Sequence, residues 1–143
     1  MRFWDTSALV PLLVEEPTTS RVRSLLREDP DVVAWWATSV ECAWALARLR
    51  REEILTARQE ERSLDLLHAL RESWTEVIPS ADVRDRAARL LRVHPLRAAD
   101  ALQLAAARVW AGSPGDAELV TFDERLAMAA RLEGFRIRGV DEG

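Results

Sequence analysis

Short apolar runs alternate with amphipathic segments along the whole chain. Because a buried strand reads as a short apolar run, this pattern predicts strands at residues 2–5, 32–35, 76–79, 118–122 and 135–138. Between them, apolar residues recur every three or four positions, as at Leu64, Leu67 and Leu70, which is typical of helices. Strands that alternate with helices imply a three-layer α/β/α fold, with a mainly parallel central sheet of four or five strands.

The predicted helices follow from this spacing and from the residues that interrupt it. They cover 6–15, a segment around 22–26, a segment from 38, then 56–74, a segment from 80 or 82 to about 93, 97–110 and 123–132. The helix from 38 is predicted to bury an apolar face formed by Val40, Ala43, Trp44 and Ala47. Trp4 is also expected in the core, together with Trp44. Without a repeat or a linker, residues 1–143 are expected to form a single domain.

Four carboxylates stand where a predicted strand or loop gives way to a helix: Asp5, Glu41, Asp100 and Asp123. In an open α/β sheet, the groups at the carboxyl ends of the strands converge on one crevice. Several carboxylates that meet there cannot all stay ionised unless a cation joins them. The pattern therefore predicts a hard metal ion and metal-assisted chemistry at this edge of the sheet.

Each acid also has a purely structural interpretation, because acidic residues cap the free N–H groups of helix starts. Asp5 and Asp123 would be N-caps, and Asp100 would be an acid in the first turn of a helix. Two pairs fit the capping-box spacing, Thr38 with Glu41 and Thr121 with Glu124. Capping is the commoner role for one acid alone. It does not explain why the junctions between strands and helices repeatedly carry an acid, so the set favours a site.

The composition narrows the class of protein. Apolar residues make up 48% and charged residues 31%, which indicates a soluble globular chain, and no apolar run approaches the roughly eighteen residues that span a bilayer. A single cysteine, Cys42, suits a reducing compartment, and no signal peptide is recognisable, so we expect a cytoplasmic protein without membrane association. The net charge of −4 weakly disfavours broad charge-driven nucleic-acid binding, although bound cations would offset the clustered acids.

The basic residues exclude several common sites. Every one of them is arginine, and without lysine the chain has no P-loop. No G-x-G-x-x-G follows a predicted strand, so a dinucleotide fold has no support. With only two histidines, His68 and His94, and one cysteine, a thiol-based zinc site is not expected, and neither histidine is expected to be a catalytic base.

Four motifs occur in an order that resembles the PIN-domain nucleases, especially the VapC-type toxins of toxin–antitoxin pairs. They are Asp-Thr-Ser-Ala-Leu at 5–9, Thr-Ser-Val-Glu at 38–41, Leu-Arg-Ala-Ala-Asp-Ala-Leu at 96–102 and Thr-Phe-Asp-Glu-Arg-Leu at 121–126. They span almost the whole chain, and the length of 143 residues also fits. Each motif alone is weakly specific, whereas four in this order and spacing are a strong signal.

The resemblance implies a PIN-like fold and an endoribonuclease that depends on Mg²⁺ or Mn²⁺ and cuts structured RNA. Five residues match the family's site: the metal-binding acids Asp5, Glu41, Asp100 and Asp123, and the supporting hydroxyl of Thr121. Ser7 is a second candidate hydroxyl, and Arg97 is a candidate for holding the scissile phosphate, with a solvated surface arginine as its alternative. Oxygen ligands suit these ions, and a water acidified by the metal would attack the phosphorus.

The resemblance also implies a cognate antitoxin protein as partner, and a homodimer. Two alternatives stay open: a PIN nuclease without toxicity that processes RNA or cuts DNA, and a non-catalytic binding module whose acids only cap helices. A small antitoxin gene directly upstream would separate the toxin from the other nucleases.

Overall fold

The computed structural model of the chain describes residues 1–113 and 115–140. In this part of the chain, five strands form one sheet: β1 (Arg2–Trp4), β2 (Val32–Trp35), β3 (Thr75–Val77), β4 (Glu118–Thr121) and β5 (Arg136–Gly139). Their order is β3-β2-β1-β4-β5, and every neighbouring pair is parallel. The chain moves outward from β1 to β2 and β3 and then crosses to β4 on the other side of β1. The carboxyl end of β1 is therefore the switch point where such sheets form a crevice.

Helices cover both faces of the sheet, which confirms the predicted three-layer α/β fold. They are α1 (Thr6–Leu13), α2 (Thr19–Glu28), α3 (Thr38–Arg51), α4 (Ala57–Ser73), α5 (Ala81–Val93), α6 (Ala98–Ala111) and α7 (Glu124–Leu132). Successive strand residues point to opposite faces, so Phe3 packs in the core beneath α5, α6 and α7, while Trp4 packs beneath α1 to α4. No helix in the described residues is long and apolar enough to cross a membrane.

Two predicted strands are displaced by one residue or more. The strand predicted at 76–79 is Thr75–Val77, because Pro79 has no N–H to donate to a ladder and Ile78 is largely exposed. The strand predicted at 135–138 is Arg136–Gly139, because the N–H of Phe135 is used to close α7, donating to the carbonyl of Ala130 at 3.0 Å. These shifts leave the sheet order intact.

The predicted apolar face of α3 is wrong. Val40 is 67% exposed and Trp44 is 59% exposed, whereas the buried positions of the helix are Thr38, Cys42 and Leu46. Both sets have helical spacing, so periodicity alone could not choose between them, and the buried set begins with a polar threonine that hydropathy places at the surface. Trp4 is fully buried, as predicted. As a result, α3 presents a large aromatic side chain to solvent beside the carboxyl edge of the sheet.

Candidate metal centre

Two of the four acids follow a central strand and cap the next helix. Asp5 follows β1 and is the N-cap of α1, where its Oδ1 accepts from the N–H of Ala8 at 3.3 Å. Asp123 stands two residues after β4 and caps α7, where its Oδ1 accepts from the N–H of Leu126 at 3.0 Å. Both residues are therefore N-caps, as the structural interpretation predicts. The capping hydrogen bonds also hold each carboxylate at the carboxyl edge of the sheet.

The other two acids lie in the first turns of helices. Glu41 is a first-turn acid of α3, and Asp100 is a first-turn acid of α6, where its Oδ2 accepts from the N–H of Arg97 at 3.3 Å. The two capping boxes expected from Thr38 and Thr121 are not formed. Thr38 is already helical and α3 has no side-chain cap, while Thr121 belongs to β4 and α7 is capped by the aspartate that follows.

The fold brings all four acids to the wall of one cavity of about 650 Å³, at the switch point beside β1. Asp5 is 5% exposed, and the other three acids are half-buried. Electrostatic repulsion links them in pairs: Asp5 with Asp123, Asp123 with Asp100, and Asp100 with Glu41. The structure therefore confirms the prediction that the four acids converge on one crevice.

Hydroxyl groups join the two central strand ends. The Ser7 hydroxyl donates to Oδ1 of Asp5 at 2.8 Å, accepts from the N–H of Phe122 at 2.9 Å, and lies 3.2 Å from the hydroxyl of Thr121. The Thr121 hydroxyl in turn accepts from the N–H of Asp123 at 3.0 Å. Ser7 and Thr121 therefore join the first and last acids of the set in one hydrogen-bond network.

The electrostatics of the cavity disfavour four bare negative charges. Burial raises the pKa of Asp5 to about 7, although hydrogen bonds from Ser7 and Thr121 oppose the rise and the charge of Asp123 adds to it. Burial also raises the pKa of Glu41 and of Asp100, and each rise is increased by a neighbouring carboxylate. A bound cation would favour the ionised forms of all these groups.

One residue of the site was missed by the sequence analysis. Gln103 lies on α6, one turn after Asp100, and is 2% exposed. Its Nε2 lies 3.0 Å from Oε2 of Glu41, 2.9 Å from the Thr38 hydroxyl and 3.2 Å from the Thr6 hydroxyl. Gln103 thereby ties α6 to the starts of α1 and α3 and sets the direction of Glu41. The signal in the sequence was a polar residue three positions after a candidate acid, in a helix otherwise rich in alanine.

Two arginines stand beside the acids. Arg97, the N-cap of α6, and Arg125, in the first turn of α7, are exposed and line a second cavity of about 620 Å³ that also contains Asp100 and Asp123. Both guanidinium groups lower the pKa of Asp100, against the larger effect of burial. Cationic groups next to clustered acids suit a ligand that carries phosphate. The phosphate contact of Arg97 stays a prediction.

The histidines and the cysteine lie outside this chemistry. His68 is exposed on α4, where the buried residue of that turn is Leu67. His94 is buried at the end of α5, and its Nε2 lies 2.8 Å from a carboxylate oxygen of Glu133. Neither histidine lines the cavity of the acids. Burial raises the pKa of Cys42 to about 12, so this thiol stays protonated and is not a nucleophile.

The donors in the cavity fit Mg²⁺ or Mn²⁺. They are carboxylates and hydroxyls, the oxygen ligands that hard cations prefer. In their present conformations, no three carboxylate, thiol or imidazole groups in the described residues are close enough together to hold an ion. That spacing is compatible with Mg²⁺, which keeps several of its waters and needs only one or two direct carboxylates together with the phosphate of a substrate.

Comparison with known proteins agrees with this geometry. The model of the PIN domain family matches residues 2–132. Ribonuclease VapC45 of Mycobacterium tuberculosis is 31% identical over 138 residues, which cover 94% of this chain and 92% of the relative. The crystal structure of M. tuberculosis VapC20, a sarcin-ricin loop cleaving toxin, has a TM-score of 0.68 at 19% identity, covering 90% of this chain and 95% of that chain. A toxin–antitoxin complex from Klebsiella pneumoniae has a TM-score of 0.63 at 20% identity, covering 89% of this chain and 91% of that chain.

The resemblance drawn from the four motifs is therefore confirmed at the level of the family. The match extends from the start of β1 to the end of α7, so it includes every acid of the site. The two solved structures share the fold with this chain. On the family model and on the relative that is 31% identical, the chain belongs to the PIN domain family.

Proposed function

We propose that this chain is a divalent-metal-dependent endoribonuclease that acts as the toxin of a toxin–antitoxin pair. The observation that carries the proposal is the convergence of four carboxylates from separate helix starts on one cavity, in a member of the PIN domain family. The name of its relative, Ribonuclease VapC45, supports RNA as the substrate. The same chemistry on a non-toxic RNA or on DNA is the alternative.

In this proposal, four acids hold Mg²⁺ or Mn²⁺, one or two of them as direct ligands and the others through waters of the ion: Asp5, Glu41, Asp100 and Asp123. When bound, such an ion lowers the pKa of a water and neutralises charge that develops on the phosphate. The chain's own part is to hold the carboxylates in place. Ser7 and Thr121 fix Asp5 from the sheet edge, and Gln103 fixes Glu41 from α6.

Arg97 and Arg125 would bind and orient the substrate. A polyanion is repelled by the acids unless cations flank them, and Arg97 and Arg125 provide that flank beside Asp100 and Asp123. A guanidinium group binds a phosphate through two parallel hydrogen bonds, which would orient the backbone of the RNA across the acids. No side-chain nucleophile is needed for this hydrolysis.

The partners and the setting belong to the same proposal. We expect one domain over residues 1–143, a cytoplasmic protein, a homodimer, and a cognate antitoxin that blocks the acid cavity. A monomer in light scattering at micromolar concentration would count against the homodimer.

Asp100→Asn tests whether the acids bind metal or only cap helices. Asparagine keeps the size of the side chain and can still accept the N–H of Arg97, but it removes a charge from a crowded site. We expect the parent to cleave structured RNA with Mg²⁺ or Mn²⁺ and to stop in EDTA. The variant should be inactive, at least as stable as the parent without metal, and less stabilised by Mn²⁺ in a thermal melt.

The control is Asp65→Asn, which removes an exposed carboxylate from α4 far along the chain from any acid of the site. It should leave the cleavage and the response to Mn²⁺ unchanged. A destabilised Asp100→Asn protein with an undiminished Mn²⁺ response would show that Asp100 is a first-turn acid only. Cleavage by the parent at full rate in EDTA would reject the metal centre as a whole.

A further inference from the structure

We propose that Trp44 and Arg48 on α3 form a subsite for an unpaired nucleotide of the substrate, beside the acids. The base would stack on the indole of Trp44, and the guanidinium of Arg48 would contact a backbone phosphate. This inference rests on the proposed ribonuclease function and names how the site would hold RNA.

The geometry of α3 places this pair next to the acids. Trp44 and Arg48 follow Glu41 by three and seven residues, so the three side chains share one face of the helix, with about 5–6 Å between the Cβ atoms of adjacent members. Both residues line the cavity of the four acids, to which Glu41 belongs. A ligand held by the acids therefore lies within reach of both side chains.

Trp44 has no structural role that would explain its place. The opposite face of α3 packs on the core through Cys42 and Leu46, while Trp44 is 59% exposed. Its only aromatic or cationic contact in the described residues is with Arg48, whose guanidinium carbon lies 5.1 Å from the ring centroid. That cation–π contact holds the ring and the positive charge in a fixed relation. Val40, one turn before Trp44, is 67% exposed as well, and adjacent exposed apolar side chains mark contact surfaces.

A third, smaller cavity adjoins the ring. It measures about 450 Å³, within the range of ligand sites, and its wall is almost entirely apolar: Thr6, Val40, Glu41, Trp44, Ala45 and Ala99. It shares Thr6, Glu41, Trp44 and Ala45 with the cavity of the acids. A flat apolar ring can therefore sit against the indole while the group attached to it reaches the carboxylates.

Charge distinguishes a nucleotide from other occupants. Arg48 lines the cavity of the acids on the side of α3, and Arg97 and Arg125 line the neighbouring cavity of about 620 Å³ on the side of α6 and α7, which shares Asp100 and Asp123 with it. Cations on both sides of an acidic centre match the successive phosphates of a strand that crosses it. Burial raises the pKa of Glu16, a half-buried acid on the wall of the same cavity, and the charge of Arg48 opposes that rise, so this carboxylate offsets part of the positive charge there. An apolar side chain of a protein partner would fill the small cavity without needing these cations.

The test is binding of short single-stranded RNA by full-length protein that cannot cut it. The probes are oligoadenylate and oligouridylate with a fluorescent end label, and an abasic oligoribose phosphate of equal length. Trp44→Ala is compared with Trp44→Phe in the Asp100→Asn background by fluorescence anisotropy. Because base stacking is sequence-tolerant, we expect Trp44→Ala to weaken binding of both oligonucleotides roughly tenfold or more, and Trp44→Phe to bind within about threefold of the parent.

Two controls separate stacking from loss of structure and from charge. Trp36→Ala removes another exposed tryptophan, 52% exposed, that lines neither cavity, and it should bind RNA like the parent. The abasic probe should bind Trp44→Ala and the Trp44 parent equally, and should lose affinity with Arg48→Gln. Because Trp44 is exposed, its variants should melt at the temperature of the parent.

Each outcome decides one of the two proposals. If the parent cleaves RNA with Mn²⁺ but Trp44→Ala binds RNA as tightly as the parent, the subsite is overturned and the ribonuclease stands. If Trp44→Ala changes dimerisation or antitoxin capture while RNA affinity is unchanged, the surface belongs to a protein partner and the subsite is again overturned. If the parent neither binds nor cleaves RNA, the proposed function fails and the subsite fails with it.

Discussion

Removing the charge of Asp5 should stabilise the metal-free protein at neutral pH. Burial raises the pKa of Asp5 to about 7 in the folded chain, against a value of 3.8 in the unfolded chain. Between these values the folded state binds the proton and the unfolded state does not, so the free energy of unfolding falls as the pH rises through that window. Each pH unit in this window lowers the free energy of unfolding by about 1.4 kcal/mol, so the loss reaches about 4 kcal/mol at pH 7. Above pH 7 there is no further loss.

Asp5→Asn removes this titration and keeps the local geometry. Asparagine is as good an N-cap as aspartate, so it can still accept from the N–H of Ala8 and from the hydroxyl of Ser7. The assay is urea unfolding of both proteins in EDTA from pH 5 to pH 8. We expect the stability of the variant relative to the parent to rise by about 3 kcal/mol over this range, because about two units of the window lie within it.

Two further measurements make this test specific to the buried carboxylate. Asp65→Asn removes an exposed charge and should change the free energy of unfolding by less than about 0.5 kcal/mol at any of these pH values. Mn²⁺ should restore the stability of the parent near pH 8 and leave Asp5→Asn almost unchanged, because the ion binds the ionised carboxylate. Parallel pH profiles for the parent and Asp5→Asn in EDTA would refute the argument, since Asp5 would then ionise like an exposed aspartate.

Two other substitutions test the backbone and the hydrogen bonds that hold the site. Gly139→Ala should cost at least about 2 kcal/mol of unfolding free energy, because its φ is +107° and a Cβ there would lie 2.5 Å from the carbonyl oxygen of Thr121. The control Gly112→Ala, with a φ of +66° and open space around it, should cost only about 1 kcal/mol. Equal losses for the two variants in urea unfolding would contradict the clash at Gly139. Gln103→Met should lower the affinity for Mn²⁺ in calorimetry and cost roughly 1–3 kcal/mol of stability, because it removes the donor that holds Glu41; an unchanged Mn²⁺ affinity would show that Gln103 serves packing alone.

The fold was predictable because its signals are local. The three central strands of this sheet are largely buried on both faces and therefore appear as apolar runs, as at 32–35 and 118–122, whereas the edge strands β3 and β5 are partly exposed. The ends were less predictable, since one hydrogen bond decides them. The N–H of Phe135 could donate to a strand or to the end of α7, and only the folded chain shows that it closes the helix.

The acids of the site were predictable for a geometric reason. In a parallel sheet every strand ends at the same edge, so residues far apart in sequence, such as Asp5 and Asp123, are brought together by the connectivity alone. Their supporting residues were not equally visible. Gln103 donates to the hydroxyl of Thr38 in the interior, and a pattern of polar and apolar letters assigns neither residue to a buried position. In the same helix orientation that buries Thr38, Trp44 is exposed.

Capping and metal binding are compatible roles for one aspartate, and the structure shows why. The helix N–H groups donate to Oδ1 of Asp5 and Oδ1 of Asp123, and a carboxylate has two oxygens with about four acceptor positions in all. The cap therefore restricts the direction of the side chain without using up its capacity for ligands, as supporting hydrogen bonds do at metal sites. Position at a helix start thus cannot separate the two roles, but charge can. A cap needs only an acceptor, which asparagine supplies, whereas a site for Mg²⁺ needs the negative charge that asparagine lacks.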